Sequence, residues 1–158
     1  CLYNLRKFEE AYNAFQKSVN LKADYVRANY WSGVALYQLK RFDEAVSWYQ
    51  KTLQFEPNNA AAHYRLGLIY LDQAKPLEAE KFLKKAVELK PDDLNYKSEL
   101  GNSYLDLKRF PEAIAVFSEV LRLNPNLYVA NSGMGNAYYN DKKPAEAIPY
   151  YKKAVELA

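Results

Sequence analysis

The sequence is short of the residues on which most catalytic and metal sites depend. Its 158 residues include one cysteine, Cys1, and one histidine, His63. A single cysteine excludes an internal disulfide bond, and a lone histidine without a cysteine partner predicts neither a zinc site nor a catalytic dyad. No nucleophile stands near a base, and no metal-ligand spacing is present. We therefore expect no catalytic residues, no metal and no cofactor.

Charge and hydrophobic length argue against two classes of partner. The chain has 22 basic and 19 acidic residues, a formal net charge of +3. This balance lacks the basic stripe typical of nucleic-acid binding. No apolar run approaches the roughly 18 residues of a membrane span, so we expect no direct membrane insertion. The first residues, CLYNLRKFEEA, lack an initiator methionine and resemble the middle of a structural element, and we expect the N-terminus to lie partway through a first helix. We expect the chain to be a piece of a longer protein, and the sequence indicates no compartment.

Glycine is scarce as well, yet its placement reveals an internal repeat. Four of the five glycines are spaced by 34 residues, namely Gly33, Gly67, Gly101 and Gly135. The same spacing relates five alanines, Ala11, Ala45, Ala79, Ala113 and Ala147, and three prolines, Pro57, Pro91 and Pro125. Several residue types in phase on one period predict stacked supersecondary units.

Each unit has the pattern of two helices and no strand alternation. In residues 59–93, one helical stripe consists of Leu66, Ile69 and Tyr70, and a second of Phe82, Leu83, Ala86, Val87 and Leu89. Pro76 is placed to begin the second helix and Pro91 to follow its end. Either Asp92 or Asp93 can cap the helix that comes next.

The repeated glycine lies inside the first helix of each unit, where it costs about 1 kcal/mol relative to alanine. Because four units accept this cost at one position, we expect a close backbone approach that a side chain would block. The expected partner is the repeated alanine of the second helix. Tyrosine and phenylalanine then fill the space between successive helix pairs, so the 15 tyrosines need no cofactor to explain them.

These residues resemble the tetratricopeptide repeat, which has the pattern W-x₂-L-G-x₂-Y, A-x₃-F, P at a period of 34 residues. The best-matching unit has Leu100–Gly101, Tyr104, Ala113, Phe117 and Pro125, whereas the tryptophan position departs in every unit. The resemblance implies an all-α fold, a right-handed α-solenoid of antiparallel helix pairs. It divides the chain into a partial repeat over 1–25, repeats over 26–59, 60–93 and 94–127, and a repeat over 128–158 that lacks its last residues.

The resemblance also implies a concave groove, lined by the first helices, in which a peptide or partner protein binds. The family's inward positions are the second, fifth, ninth and twelfth of each repeat. In the first two repeats they hold Arg27, Tyr30, Val34 and Tyr37, then Ala61, Tyr64, Leu68 and Leu71. In the last two they hold Asn95, Ser98, Asn102 and Leu105, then Val129, Ser132, Asn136 and Tyr139. The next inward position holds Gln38, Asp72, Asp106 and Asn140.

The two halves of this groove differ in chemistry. The N-terminal half is aromatic and aliphatic, and the C-terminal half is rich in amides and hydroxyls. We expect Tyr30, Tyr64 and Leu68 to hold an apolar anchor of a peptide. Asn102 and Asn136 occupy equivalent positions, so we expect them to stack as a ladder that binds the peptide backbone. The alternative is that these polar residues only keep the concave surface hydrated.

Two further features concern partners. Family members that hold chaperone tails use a Lys/Asn/Arg carboxylate clamp, but of the candidate positions here only Arg27 and Arg65 are basic. The resemblance therefore disfavours a chaperone-tail partner.

Ile148, Tyr151 and Val155 lie on one stripe of the last helix. We expect this stripe to be exposed and both ends of the array to lack a polar cap. These features favour self-association through the terminal repeats as an alternative function.

One short motif suggests a phosphate site but fails the pattern. Gly133 and Gly135 form G-x-G, yet Tyr138 stands where a dinucleotide fingerprint needs its third glycine, and no strand precedes. Gly135 belongs to the 34-residue repeat. Gly133 does not, and we expect its missing side chain to open the groove beside Asn136.

Overall fold

The computed structural model describes the backbone of residues 2–21 and 26–158. Cys1 and residues 22–25 lie outside this part, and in the first helix only the side chains of residues 7–15 and Lys17 are described. The described residues form no β-strand and nine α-helices: α1 (Leu2–Leu21), α2 (Val26–Gln38), α3 (Phe42–Phe55), α4 (Ala60–Asp72), α5 (Pro76–Leu89), α6 (Leu94–Asp106), α7 (Phe110–Leu123), α8 (Tyr128–Asn140) and α9 (Pro144–Leu157).

Helices α2 to α9 form four antiparallel pairs, each joined by a short turn. The second helix of a pair packs against its own first helix and against the first helix of the next pair. The buried residues form three clusters along the stack. Leu36 and Tyr49 belong to one cluster and Phe117 and Met134 to another, and the partly buried Tyr70 packs against both. This arrangement is an all-α solenoid, as the repeat pattern predicts.

The helix signals in the sequence act where they were expected. Pro76 is the first residue of α5. Of the two candidate caps, Asp93 is the one that caps α6, since its side chain accepts hydrogen bonds from the backbone N–H groups of Asn95 and Tyr96 at 3.0 and 3.2 Å. The repeated prolines Pro57, Pro91 and Pro125 lie in the turns between pairs.

Helix α1 differs from the expectation that the chain begins partway through a first helix. It runs without a break from Leu2 to Leu21 and packs against α2 as a second helix does. The segment contains neither glycine nor proline to stop it. One continuous helix therefore stands where the pattern predicts the end of one helix and the start of another.

The turn inside each pair has a conformation that the sequence does not announce. One residue in each turn adopts a left-handed backbone, with φ between 54° and 60°: Lys40, Ala74, Lys108 and Lys142. This conformation ends the first helix and lets the chain reverse. In the first turn, the Arg41 N–H donates to the Leu36 carbonyl at 2.9 Å. Glycine usually occupies such a position, and none of the four is glycine.

The repeated glycines make room for large side chains, which corrects the predicted partner. A Cβ atom on Gly33, Gly67, Gly101 or Gly135 would come within 2.8 Å of the side chain of Tyr49, Leu83, Phe117 or Tyr151, respectively. These residues lie four positions after the repeated alanine. Ala45, Ala79, Ala113 and Ala147 are buried nearby but are not the nearest contact, and Ala11 on α1 is half-buried. Each glycine therefore accommodates a side chain rather than a second backbone.

Successive second helices are also joined by ion pairs. Arg109, just before α7, donates to both carboxylate oxygens of Glu80 on α5, at 2.9 and 3.0 Å. Lys84 pairs with the same carboxylate at 2.6 Å, and the Glu80 residue is only 9% exposed. The Arg41–Glu9 pair, at 3.2 Å, joins α3 to α1 in a similar way.

Candidate functional site

The groove is defined here as the surface formed by the first helices α2, α4, α6 and α8. Of the twenty inward residues, fifteen are predicted to bind the ligand, namely all except Gln38, Ala61, Leu105, Val129 and Asn140. These fifteen lie on the four first helices. Eight are half-buried: Tyr30, Val34, Tyr37, Tyr64, Leu68, Leu71, Asn102 and Ser132. Six are exposed: Arg27, Asp72, Asn95, Asp106, Asn136 and Tyr139. Fourteen of the fifteen therefore retain some solvent exposure.

Ser98 is the exception, and the structure corrects its assignment. Its residue is 3% exposed, and its hydroxyl donates to the Leu94 carbonyl at 2.7 Å. A side chain this short does not reach past the neighbouring first helices, both of which contact α6. Ser98 is thus a packing residue and not a surface for a ligand.

The N-terminal half of the groove is built from paired aromatic rings. The rings of Tyr64 and Tyr96 are stacked, with centroids 4.5 Å apart. Tyr30 packs edge-on against the buried Tyr49 at 5.6 Å. Such pairs stabilise the packing of the rings by about 0.5–1.5 kcal/mol beyond the area that they bury, so aromatic side chains make up much of this part of the groove.

A hydrogen bond joins the first two helices of the groove. The Tyr37 hydroxyl donates to Asp72 Oδ2 at 2.7 Å, between α2 and α4. Burial and this bond to Asp72 raise the pKa of Tyr37 to about 12. Burial, and then the charge of Glu99, also raise the pKa of Tyr64 to about 12. Both hydroxyls are therefore neutral and able to donate at pH 7.

Arg65 lies outside the four inward positions of its repeat, although it is one of the two basic residues at the candidate clamp positions. Its guanidinium carbon lies 5.9 Å from the centroid of the Tyr64 ring, and its electrostatic neighbours include Tyr30 and Tyr49. Its Nε is buried and has no hydrogen-bond partner. The repeat pattern could have located it, because Arg65 precedes Leu66–Gly67 by one residue and its repeat equivalents are Trp31 and Glu99.

The predicted asparagine ladder is absent from the C-terminal half. Asn102 Nδ2 donates to Glu99 at 3.2 Å, whereas Asn136 Oδ1 accepts from the Tyr151 hydroxyl at 2.9 Å. Each side chain thus bonds within its own repeat. Among the described residues, Asn102 Oδ1 and Asn136 Nδ2 have no protein partner, which leaves an acceptor and a donor for a ligand.

Gly133 does not open the groove, contrary to the expectation from its position. It is buried, and a Cβ atom placed on it would lie 2.3 Å from the ring of Phe117 on the preceding helix. Its repeat equivalents are Arg65 and Glu99. Glycine at this position instead lets α8 close against α7.

Acidic residues lie toward the C-terminal half without forming a metal site. Desolvation raises the pKa of Asp106, although much of the residue remains exposed. Within residues 2–21 and 26–158, no group of three or more His, Cys, Asp or Glu side chains is placed to hold a metal ion. In the same part of the chain, no helix combines the length and apolarity needed to cross a membrane.

Three family models match the sequence. Residues 33–73 match one described as TPR repeat, and residues 60–93 and 98–158 match two described as Tetratricopeptide repeat. Together they cover most of α2 to α9. No curated protein matches the chain significantly.

Solved structures show the same fold over nearly the whole chain. MamA from strain AMB-1 is 28% identical, with a TM-score of 0.87 over 96% of this chain and 89% of that one. MamA from Desulfovibrio magneticus RS-1 is 23% identical, with a TM-score of 0.90 over 95% and 85%. YrrB, described as a TPR protein with an unusual peptide-binding site, is 23% identical, with a TM-score of 0.85 over 99% and 80%.

Proposed function

Because the chain belongs to the tetratricopeptide repeat family, we propose that it is a non-catalytic scaffold that binds an extended segment of a partner protein in the groove. One observation carries this proposal. Six large side chains on one face of α2 and α4 retain solvent exposure although the core beneath them is complete: Tyr30, Val34, Tyr37, Tyr64, Leu68 and Leu71. Large apolar side chains that stay partly exposed on neighbouring helices favour an interaction site.

The two halves of the groove have complementary tasks in this proposal. Tyr30, Tyr64 and Leu68 contact an apolar or aromatic side chain of the ligand, and their burial supplies most of the affinity. The unpartnered Oδ1 of Asn102 accepts from a backbone N–H of the ligand. The unpartnered Nδ2 of Asn136 donates to a backbone carbonyl, so the pair can bind a peptide whatever its sequence there.

YrrB supports the proposal by analogy. It shares the fold over nearly all of this chain and is described as having a peptide-binding site. A fold hosts many functions, so the analogy adds to the groove chemistry and does not replace it.

The test is a selection from a library of displayed random 12-residue peptides. The chain should enrich specific peptides. Tyr64→Ala combined with Asn102→Ala should bind the selected peptides at least about tenfold more weakly, because it removes an aromatic contact and a hydrogen bond. Leu77→Ala combined with Asn58→Ala is the matched control, since both residues are exposed outside the groove. Equal losses in the two variants, or no enrichment, would overturn the proposal.

Self-association is a second candidate, favoured by the exposure of α9. Ile148 is 52% exposed and Val155 is 79% exposed, as predicted, whereas Tyr151 is half-buried against Gly135. Val155→Glu is therefore a cleaner test than a change at Tyr151, which would disturb the helix pair. Light scattering over a range of concentrations should show oligomers that Val155→Glu abolishes. A strict monomer at every concentration would remove this candidate.

A further inference from the structure

Arg65 is a cation that the fold surrounds with aromatic rings rather than with carboxylates. It lies on α4 in the N-terminal half of the groove, where Tyr30 is a side-chain hydrogen-bond partner and Tyr49 and Tyr64 are further electrostatic neighbours. Within the part of the chain that the structure describes, every ion pair joins residues other than Arg65, whose hydrogen-bond partner Tyr30 is neutral. Its charge is therefore not neutralised inside the protein.

The burial of Arg65 makes the absence of a carboxylate partner unfavourable for the stability of the folded chain. Nε of Arg65 is buried without a hydrogen-bond partner, and a buried donor left unpaired loses its hydration without compensation. Arg41 and Arg109 differ from Arg65 in this respect, because each of them pairs with two carboxylates. Among the described arginines, Arg65 is the one with a buried nitrogen that has no hydrogen-bond partner.

We propose that Arg65 binds a carboxylate side chain of the peptide ligand, so that the groove selects an aspartate or glutamate next to the apolar anchor. This inference rests on the proposed function, because it requires a peptide in the groove. A guanidinium binds a carboxylate through two parallel hydrogen bonds, and the surrounding rings lower the local polarity and strengthen that attraction. The same rings hold the apolar side chain beside it.

The position of Arg65 indicates an internal residue of the ligand rather than its end. Groove residues continue on both sides, with Arg27 and Tyr30 toward the N-terminus and Asn102 and Asn136 toward the C-terminus. A peptide that fills the groove therefore passes over Arg65. Glu99 and Asp106, on α6, lie on the C-terminal side and would repel a second acidic residue there. The predicted ligand thus carries its acidic residue over the N-terminal half only.

The composition of the selected peptides provides the first test. The library displays its peptides with a blocked C-terminus, so that any carboxylate recovered belongs to a side chain. We expect aspartate or glutamate to be enriched next to an aromatic or aliphatic residue. Selection on Arg65→Gln should still recover peptides but lose the acidic residue. Arg122→Gln removes an exposed charge from α7, and it should retain the preference.

The second test replaces the acidic residue of the peptide. Its first comparison needs only the unmodified chain and therefore does not depend on the folding of Arg65→Gln. The strongest selected peptide is synthesised with its glutamate or with glutamine, and binding is measured by fluorescence polarisation. The glutamine peptide should bind the unmodified chain at least about tenfold more weakly, the effect expected for one charge-assisted hydrogen bond. The two peptides should bind Arg65→Gln equally, with circular dichroism confirming that the variant is folded.

The outcomes separate this inference from the proposed function. Peptides that bind the groove without an acidic preference, or with the same preference in Arg65→Gln, overturn the acidic anchor and leave the groove proposal standing. Binding that requires a free C-terminal carboxylate in a second library overturns the internal position of the acid. Failure of every library to yield a groove-dependent peptide overturns both proposals.

Discussion

Gly133 lies against the ring of Phe117, so closely that an added Cβ atom would be 2.3 Å from Phe117 Cζ. The same ring lies against Gly101 of its own repeat, where the distance would be 2.7 Å. Phe117 is therefore wedged between two glycines of successive first helices. The G-x-G sequence that suggests a phosphate loop is a packing device, in which Gly133 accommodates Phe117 and Gly135 accommodates Tyr151.

Gly133→Ala should lower the free energy of unfolding by about 1–3 kcal/mol, the usual cost of forcing extra volume into a packed core. Adding Phe117→Leu to this variant should recover part of the loss, because the smaller side chain leaves space for the new methyl group. Urea denaturation of the two single variants and the double variant measures the coupling. Losses that simply add would show that the two residues do not share one space.

Glu80→Gln should destabilise the stack by about 2 kcal/mol, between the values for exposed and buried ion pairs. Burial alone would raise the pKa of Glu80, but the hydrogen bonds from Lys84 and Arg109 outweigh it and hold the pKa below the usual range. Because this folded-state pKa is lowered, its stabilisation is present above the unfolded value of about 4.3 and is lost as pH falls through the folded value.

Thermal unfolding from pH 6 to pH 3 checks this prediction. The difference between the unmodified chain and Glu80→Gln should shrink at the acid end. Glu88→Gln is the control, because its pair with Lys85 is exposed and should contribute less than about 1 kcal/mol. A difference for Glu80→Gln that stays constant down to pH 3 would contradict the assigned role of the carboxylate.

Tyr37→Phe tests the bond to Asp72 through alkaline stability. Burial and the bond raise the pKa of Tyr37 to about 12, above the unfolded value of about 10. With a raised folded-state pKa, the stabilisation is complete below pH 10 and is lost as pH rises toward 12. The variant should therefore lose less stability than the unmodified chain over that interval.

Chemical denaturation at pH 8, 10 and 11.5 measures the effect. At pH 8 the variant should be less stable by about 0.5–1.5 kcal/mol, the value of one hydrogen bond. Tyr139→Phe, at a residue that is 60% exposed, should follow the unmodified chain. If Tyr37→Phe also follows it at every pH, the bond between α2 and α4 makes no contribution.

Lys108→Gly should stabilise the chain by about 1 kcal/mol. Lys108 has a φ of 56° in the turn between α6 and α7, and a left-handed backbone costs a residue with a Cβ atom about that much. The melting temperature should rise, whereas Lys90→Gly, at a residue with a φ of −137°, should lower it. A fall in the melting temperature of Lys108→Gly would show that the greater freedom of glycine in the unfolded chain outweighs the relieved strain.

The helix pairs were predictable because their signals are local. Pro76 begins α5 and Asp93 caps α6, and both effects act within one turn of helix. The 34-residue period then fixes the stacking, since an identical pair can bury its apolar face only against a copy of itself. These features can be predicted without knowing which distant residues come into contact in the fold.

The errors concern residues whose role depends on the angle between helices. Gly133 and Phe117 are 16 residues apart, and only the approach of α8 to α7 brings them together. Ser98 is on the groove side of α6 but is covered by its neighbours. The left-handed position at Ala74 carries no sequence signal, because alanine there resembles any helix residue.

The central claim, that a peptide lies in the groove, is tested most directly by photocrosslinking. Benzoylphenylalanine is introduced at Tyr64, at Tyr139 or at Leu77, and each variant is irradiated with a peptide selected by the unmodified chain. Tyr139 and Leu77 are similarly exposed, at 60% and 67%, but only Tyr139 lies on a first helix. The account predicts crosslinks from Tyr64 and Tyr139 and none above background from Leu77. Equal crosslinking from all three positions, or crosslinking from Leu77 alone, would contradict it.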